Sequence, residues 1–346
     1  MEIEIPAIDE AAAAAAARRL DRLTKPQGSL GRLEELAIRL AGMTGDPWCR
    51  FERRAVVVMA ADHGVTEEAV SAYPSEVTLQ MVANFAAGGA GINVLARKAG
   101  AQVVVVDLGV KTPPGIPGVL DRRLGPGTKN MTREPAMTRA QAEAAVATGR
   151  ELAAQLAAGG ATLLLTGEMG IGNTTAASTV TAALTGRAPR EVTGRGTGLD
   201  DAAFAHKVGV VERALALHRP DPADPVGVMA SVGGFEIAGL AGLILGAAER
   251  RVPVIVDGFI TGAAALTACA IAPGARAYLI ASHRSVEPGH GAILDALGLE
   301  PLLDLRLRLG EGTGAALALH LVDAAVAIRD EMATFDEAGV SERTDG

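Results

Sequence analysis

Two glutamates stand in glycine-rich turns: Glu168 in Thr166-Gly167-Glu168-Met169-Gly170-Ile171-Gly172-Asn173-Thr174-Thr175, and Glu311 in Leu309-Gly310-Glu311-Gly312-Thr313-Gly314. The first turn follows an apolar run and nearly has the spacing of a phosphate loop, G-x-x-x-x-G-K-[ST], with Gly167, Gly172 and Thr174 in register. Asn173 occupies the lysine position. Such a turn offers backbone N–H groups and a helix N-terminus to a phosphate but lacks the charge a triphosphate needs. A carboxylate at Glu168 is unwelcome in a pure phosphate cradle, so the loop suggests a monophosphate handled beside acid/base chemistry. The alternative is a tight strand-to-helix turn with no ligand. Glu311 lies between glycines that free its backbone and leave its carboxylate without close side-chain neighbours. That suits a general base raised by an apolar pocket, or an idle acid in the first turn of a helix.

The elements that must position these groups follow one pattern, a short aliphatic run, a polar or glycine cluster, then an alanine-rich stretch. Six runs, 55–60, 102–106, 162–165, 226–232, 252–256 and 277–281, read as strands. Their near-continuous apolar character is that of strands covered on both faces by helices, which predicts a parallel sheet in an α/β fold. A seventh run, 302–309, alternates with period two and reads as an edge strand or a helix. Residues 111–135, rich in proline and glycine, form a long irregular connection. Ligands in open α/β sheets bind outside the carboxyl ends of the strands, so the clusters there should converge on one pocket. They are Asp62-His63-Gly64, Asp107-Leu108-Gly109, Gly167-Glu168-Met169-Gly170, Gly233-Gly234-Phe235-Glu236, Asp257-Gly258-Phe259 and Ser282-His283-Arg284-Ser285, with Glu287-Pro288-Gly289-His290 beyond.

Several chemistries are disfavoured. Asp62 and His63 lack companions at zinc spacing, so no metal is expected. Ser285, His283 and Asp257 could be composed into a triad, but no nucleophile elbow exists to hold the serine. The glycine order breaks the dinucleotide fingerprint, which disfavours hydride transfer. With 346 residues, 49% of them hydrophobic, the chain can bury a large core. A formal charge of -8, no basic block and 3% aromatics argue against nucleic acid as a partner. The acidic start Met1-Glu2-Ile3-Glu4 is unlike an export signal, and Cys49 and Cys269 lie far apart without metal or redox spacing. A cytoplasmic protein is expected. The apolar stretch 237–248 is too short to span a bilayer, so no membrane partner is expected.

The segments Leu23-Thr24-Lys25-Pro26-Gln27-Gly28-Ser29-Leu30-Gly31-Arg32-Leu33-Glu34, Ala61-Asp62-His63-Gly64-Val65, Gly167 to Thr175 and Glu287-Pro288-Gly289-His290, in this order, resemble the nicotinate-nucleotide:dimethylbenzimidazole phosphoribosyltransferases. The resemblance extends from about Asp21 to about Asp330. It implies a doubly wound, mostly parallel sheet of about six strands in a Rossmann-like catalytic domain (46–320). A small helical domain would be built from the chain ends, 1–45 and 321–346. It also implies a homodimer whose site is closed partly by the neighbouring subunit. The implied reaction moves phosphoribose from nicotinate mononucleotide to dimethylbenzimidazole with inversion, and needs no cofactor. By resemblance Glu311 matches the general base and Glu168 a second active-site glutamate. Gly170, Ile171, Gly172, Asn173, Thr174 and Gly258 would bind the nucleotide and its phosphate; Ser75, Gln80, Met169 and Leu309 would bind the base. A kinase or NTPase using the glycine loop, and a non-catalytic nucleotide sensor, are the alternative readings.

Overall fold

The computed structural model describes residues 3–341 apart from Pro114, Thr197 and Leu199. Six parallel strands form one sheet: β1 (Arg54–Ala61), β2 (Gln102–Gly109), β3 (Val119–Asp121), β4 (Leu163–Met169), β5 (Val254–Val256) and β6 (Leu279–Ala281). Their order is β3-β2-β1-β4-β5-β6, so the winding reverses between β1 and β4. In a doubly wound sheet that reversal opens a crevice at the carboxyl ends of the strands, where ligands bind. The aliphatic strands are buried because helices cover both faces. On one face the helix Phe235–Ala248 is buried at every position and crosses Arg139–Ala158 at backbone contact. A methyl group on Gly149 would sit 1.9 Å from the Gly239 carbonyl oxygen, so the crossing requires glycine there.

Three expectations are corrected. Residues 226–232 are not a strand but most of the helix Pro225–Val232, started by Asp224, whose carboxylate accepts from Gly227 N–H at 3.1 Å, and by proline in the first turn. A buried helix and a buried strand have the same continuous apolar character, and only this start signal separates them. The sixth strand is instead β3, inside the connection 111–135. That connection folds over the end of β1, where Thr128 N–H donates to the Asp62 carbonyl and Lys111 N–H to the Asp62 carboxylate. Residues 302–309 form neither strand nor helix. They run beside the chain after β6, joined by one parallel bridge, His283 to Leu303, and by Arg284 N–H to Leu303 O.

At the chain ends, helices Glu10–Asp21 and Arg32–Thr44 pack on each other and on Thr313–Glu331. The stretch Val77–Lys98 has the length and hydropathy of a membrane span. It breaks at Gly88 into helices of 11 and 8 residues, each shorter than a bilayer requires.

Candidate active site

A cavity of about 580 Å³ opens at the carboxyl ends of β4, β5 and β6. That volume lies within the usual range for small-molecule sites. Its wall brings together Glu168, Met169, Gly170, Ile171, Gly172, Asn173, Thr174, Gly258, Leu309 and Glu311, ten of the residues singled out from the sequence. Ser75 and Gln80 are not on this wall; from the same segment it is Ser71, Tyr73, Val77 and Met81 that line it. Val77 and Met81 lie one helical turn apart on Val77–Ala87, whereas Gln80 is exposed.

Glu168 belongs to β4, which runs on to Met169, rather than to the turn; it lies opposite Met59 of β1. Its carboxyl is buried, accepts from Asn173 Nδ2 and from Glu311 N–H, and faces the negative charges of Asp257 and Glu236. Burial first, and those two carboxylates next, push it up to about 8. Glu311 sits in the left-handed backbone region at φ 63°, uncommon for a residue with a side chain. Two contacts hold it there. Its carbonyl oxygen packs so close to Gly167 that a methyl group there would lie 2.4 Å away, and its carboxylate accepts from Ile92 N–H at 3.1 Å. Ile92 is in the first turn of the helix Gly91–Lys98, whose N-terminus favours an anion. Burial outweighs this and raises the Glu311 carboxyl above the ordinary range. Asp257, just beyond β5, fixes the same loop, accepting from Gly312 N–H at 3.2 Å and Ala315 N–H at 3.0 Å. Burial pushes it up to about 7 against those hydrogen bonds.

The turn Gly170-Ile171-Gly172 leads into the helix Asn173–Thr185, with Gly172 as cap at φ 93°. The glycines do more than clear space for a ligand. A methyl group on Gly170 would come within 2.4 Å of the Ala61 carbonyl oxygen and 3.2 Å of the His63 ring. His63 and Glu236 form a fully buried pair at 2.7 Å behind the loop, so His63 packs the turn from beneath and Asp62 is engaged with Lys111.

The positive charge missing at Asn173 comes from elsewhere in the chain. Lys207, on the helix Asp201–His218, is wholly buried and donates from Nζ to Thr174 Oγ1 at 2.8 Å. Burial holds it down to about 8. Arg308 on the cavity wall donates to the Gly196 carbonyl, and Glu287 accepts from Gly196 N–H. Sequence spacing overlooked Lys207 and Arg308. The available signal for Lys207 was a lone cation in an apolar helical run, Lys207-Val208-Gly209-Val210-Val211.

The family model DBI_PRT, described as phosphoribosyltransferase, matches residues 5–340. The nicotinate-nucleotide--dimethylbenzimidazole phosphoribosyltransferase of Chloroflexus aggregans is 61% identical over 337 residues, covering 97% of this chain and 96% of that one. Its counterpart from Roseiflexus castenholzii is 60% identical over 343 residues, covering 99% and 97%. The crystal structure of the same-named enzyme from Thermus thermophilus superposes with a TM-score of 0.91 at 51% identity, covering 97% of this chain and all of that one. With a matched model over nearly its whole length and relatives this close, the chain belongs to the nicotinate-nucleotide–dimethylbenzimidazole phosphoribosyltransferase family.

Proposed function

We propose that this cavity transfers the phosphoribosyl group of nicotinate mononucleotide to 5,6-dimethylbenzimidazole, giving α-ribazole 5′-phosphate and nicotinate. One ring nitrogen of the base attacks the anomeric carbon from the face opposite nicotinate, and the bond to the pyridinium nitrogen breaks with its electron pair going to nicotinate. The configuration inverts from β to α. The proton on the other ring nitrogen passes to Glu311. The observation that carries this reading is the placement of the Glu311 carboxylate, raised by burial yet fixed by Ile92 N–H, in the same cavity as Glu168 and the N-terminus of Asn173–Thr185.

Each part of the substrate has a counterpart on the wall. Gly172, Asn173 and Thr174 present a helix N-terminus to the phosphate, with Lys207 behind the Thr174 hydroxyl and Arg308 at the rim. Glu168 lies between that terminus and Glu311, where the ribose would sit. Positive charge grows on the ribose as the pyridinium leaves, and a carboxylate beside it stabilises that charge. Met169, Val77, Met81 and Leu309 give the flat base an apolar wall. Ser75 and Gln80, which the resemblance assigns to the base, lie off this wall. Tyr73 and Leu309 stand 55% and 62% exposed at this mouth, which supports a homodimer in which a second copy covers them. The meeting of the terminal helices supports a small domain made from 1–45 and 321–346, and the charge of -8 argues against nucleic acid as a partner.

The test is incubation with nicotinate mononucleotide, with and without dimethylbenzimidazole. Nicotinate release that requires the base is expected. Release without the base would make the protein a nucleotide hydrolase, and tight binding without release would make it a sensor.

A further inference from the structure

His283 follows β6 on the cavity wall, and the transfer chemistry leaves it without a role. The neighbouring hydroxyl fixes its tautomer. Ser282 Oγ lies 2.8 Å from the Asp257 carbonyl oxygen, which can only accept, so the single hydroxyl proton is committed there. The same Oγ lies 3.0 Å from His283 Nδ1. With its proton spent, Oγ can only accept from the ring, so Nδ1 carries the hydrogen and Nε2 carries a lone pair. Burial holds the imidazole neutral by lowering its proton affinity. The Nδ1 edge faces Ser282 and Gly314, while Cε1 and Nε2 lie over Gly258, part of the cavity wall. Among the described residues Nε2 has no hydrogen-bond partner.

A neutral acceptor in this cavity requires a donor on the substrate, and the proposed substrates have few. The phosphate and the nicotinate carboxylate are acceptors at neutral pH, and the only N–H of dimethylbenzimidazole is the one Glu311 takes. The two ribose hydroxyls remain. Resting on the phosphoribosyl-transfer reading, we propose that His283 is a specificity residue for the sugar, its Nε2 accepting a hydrogen bond from one ribose hydroxyl of the nucleotide. Ser282 acts as a positioning residue that keeps the lone pair on Nε2.

The experiment measures binding of nicotinate mononucleotide and its 2′-deoxy and 3′-deoxy forms by calorimetry to wild type, His283→Asn and His283→Gln. Asparagine keeps a polar atom near Nδ1 and abolishes the acceptor at Nε2; glutamine can return an oxygen close to Nε2. In wild type, loss of the paired hydroxyl should weaken binding by about 5- to 100-fold, the usual consequence of stranding a buried acceptor. In His283→Asn that penalty should fall to about threefold or less while the penalty for the other hydroxyl is unchanged. His283→Gln should restore most of it. Equal penalties in wild type and His283→Asn would overturn the assignment, as would a glutamine variant that discriminates no better than asparagine. A wild type that binds none of the three nucleotides would overturn it too. Transfer to dimethylbenzimidazole, assayed in parallel, separates the two claims, because absent transfer with intact hydroxyl discrimination sinks the reaction and leaves the role of His283 standing.

Discussion

Replacing Glu168 by glutamine should change how the stability of the protein depends on pH. The carboxyl ordinarily ionises near 4.5, but burial and the charges of Asp257 and Glu236 push it to about 8 in the folded chain. Between those values the unfolded chain has lost this proton and the folded chain keeps it. The group therefore contributes stability that is complete below about pH 4.5 and is lost as pH rises through about 8. One pKa unit corresponds to about 1.4 kcal/mol, so wild type should lose stability relative to Glu168→Gln by up to about 1.4 kcal/mol per pH unit across this window. Glutamine keeps an oxygen for the Asn173 amide and cannot ionise. Urea unfolding of both proteins at unit steps from pH 5 to 9 measures the difference directly. Parallel curves from pH 5 to 8 would refute the argument, for they would mean that Glu168 is already ionised at neutral pH. The same ionisation should appear in catalysis. A nucleotide with a cationic pyridinium ring favours the carboxylate, so kcat/KM for nicotinate mononucleotide should rise with pH through the Glu168 ionisation, and this limb should vanish in Glu168→Gln.

Three further substitutions test separate parts of the site. Gly170→Ala should destabilise the protein and weaken nicotinate mononucleotide and its dephosphorylated riboside alike, because the added methyl meets Ala61 O at 2.4 Å; calorimetry with both ligands and a melting curve check this. Lys207→Met should weaken the mononucleotide roughly 10-fold while leaving the riboside within about twofold, because Thr174 Oγ1 loses its donor and the phosphate site loses a nearby positive charge. Glu236→Gln should cost about 3–5 kcal/mol of stability where His63 is protonated, as expected for one partner removed from a buried pair. Burial alone would lower the His63 pKa, yet Glu236 raises it above 6.5, so this contribution is complete below about pH 6.5 and fades as pH rises further. Denaturation at pH 6 and pH 9 tests that sign.

Most of the sheet was legible because β1, β2 and β4 are aliphatic runs ending in Asp62, Asp107 and Glu168, and a strand buried on both faces has no other pattern. Residues 226–232 misled because the helices Arg139–Ala158, Asn173–Thr185 and Phe259–Ile271 pack on that segment, which removes the polar face by which a helix announces itself. The three residues of β3 are too few to register against a proline-rich background. At the site, the two glutamates were visible through their glycines, although Gly167 and Gly170 turn out to admit the Glu311 and Ala61 backbones rather than a ligand alone. Lys207 was not visible, since it lies 33 positions beyond Thr174 and nothing in the sequence states that the two helices meet.

The central claim is that Glu311 removes the proton of the attacking base while Glu168 acts on the sugar. Glu311→Gln should bind both substrates and turn over about 10²- to 10⁴-fold more slowly, the usual contribution of a positioned general base. An N-methylated benzimidazole attacks through its free nitrogen and has no proton to lose, so its product keeps a fixed positive charge. Single-turnover rates with the two nucleophiles on wild type, Glu311→Gln and Glu168→Gln separate the roles. The ratio of variant to wild-type rate should rise toward one with the methylated base for Glu311→Gln only. An unchanged ratio at Glu311, or rescue of Glu168→Gln in its place, would contradict the account.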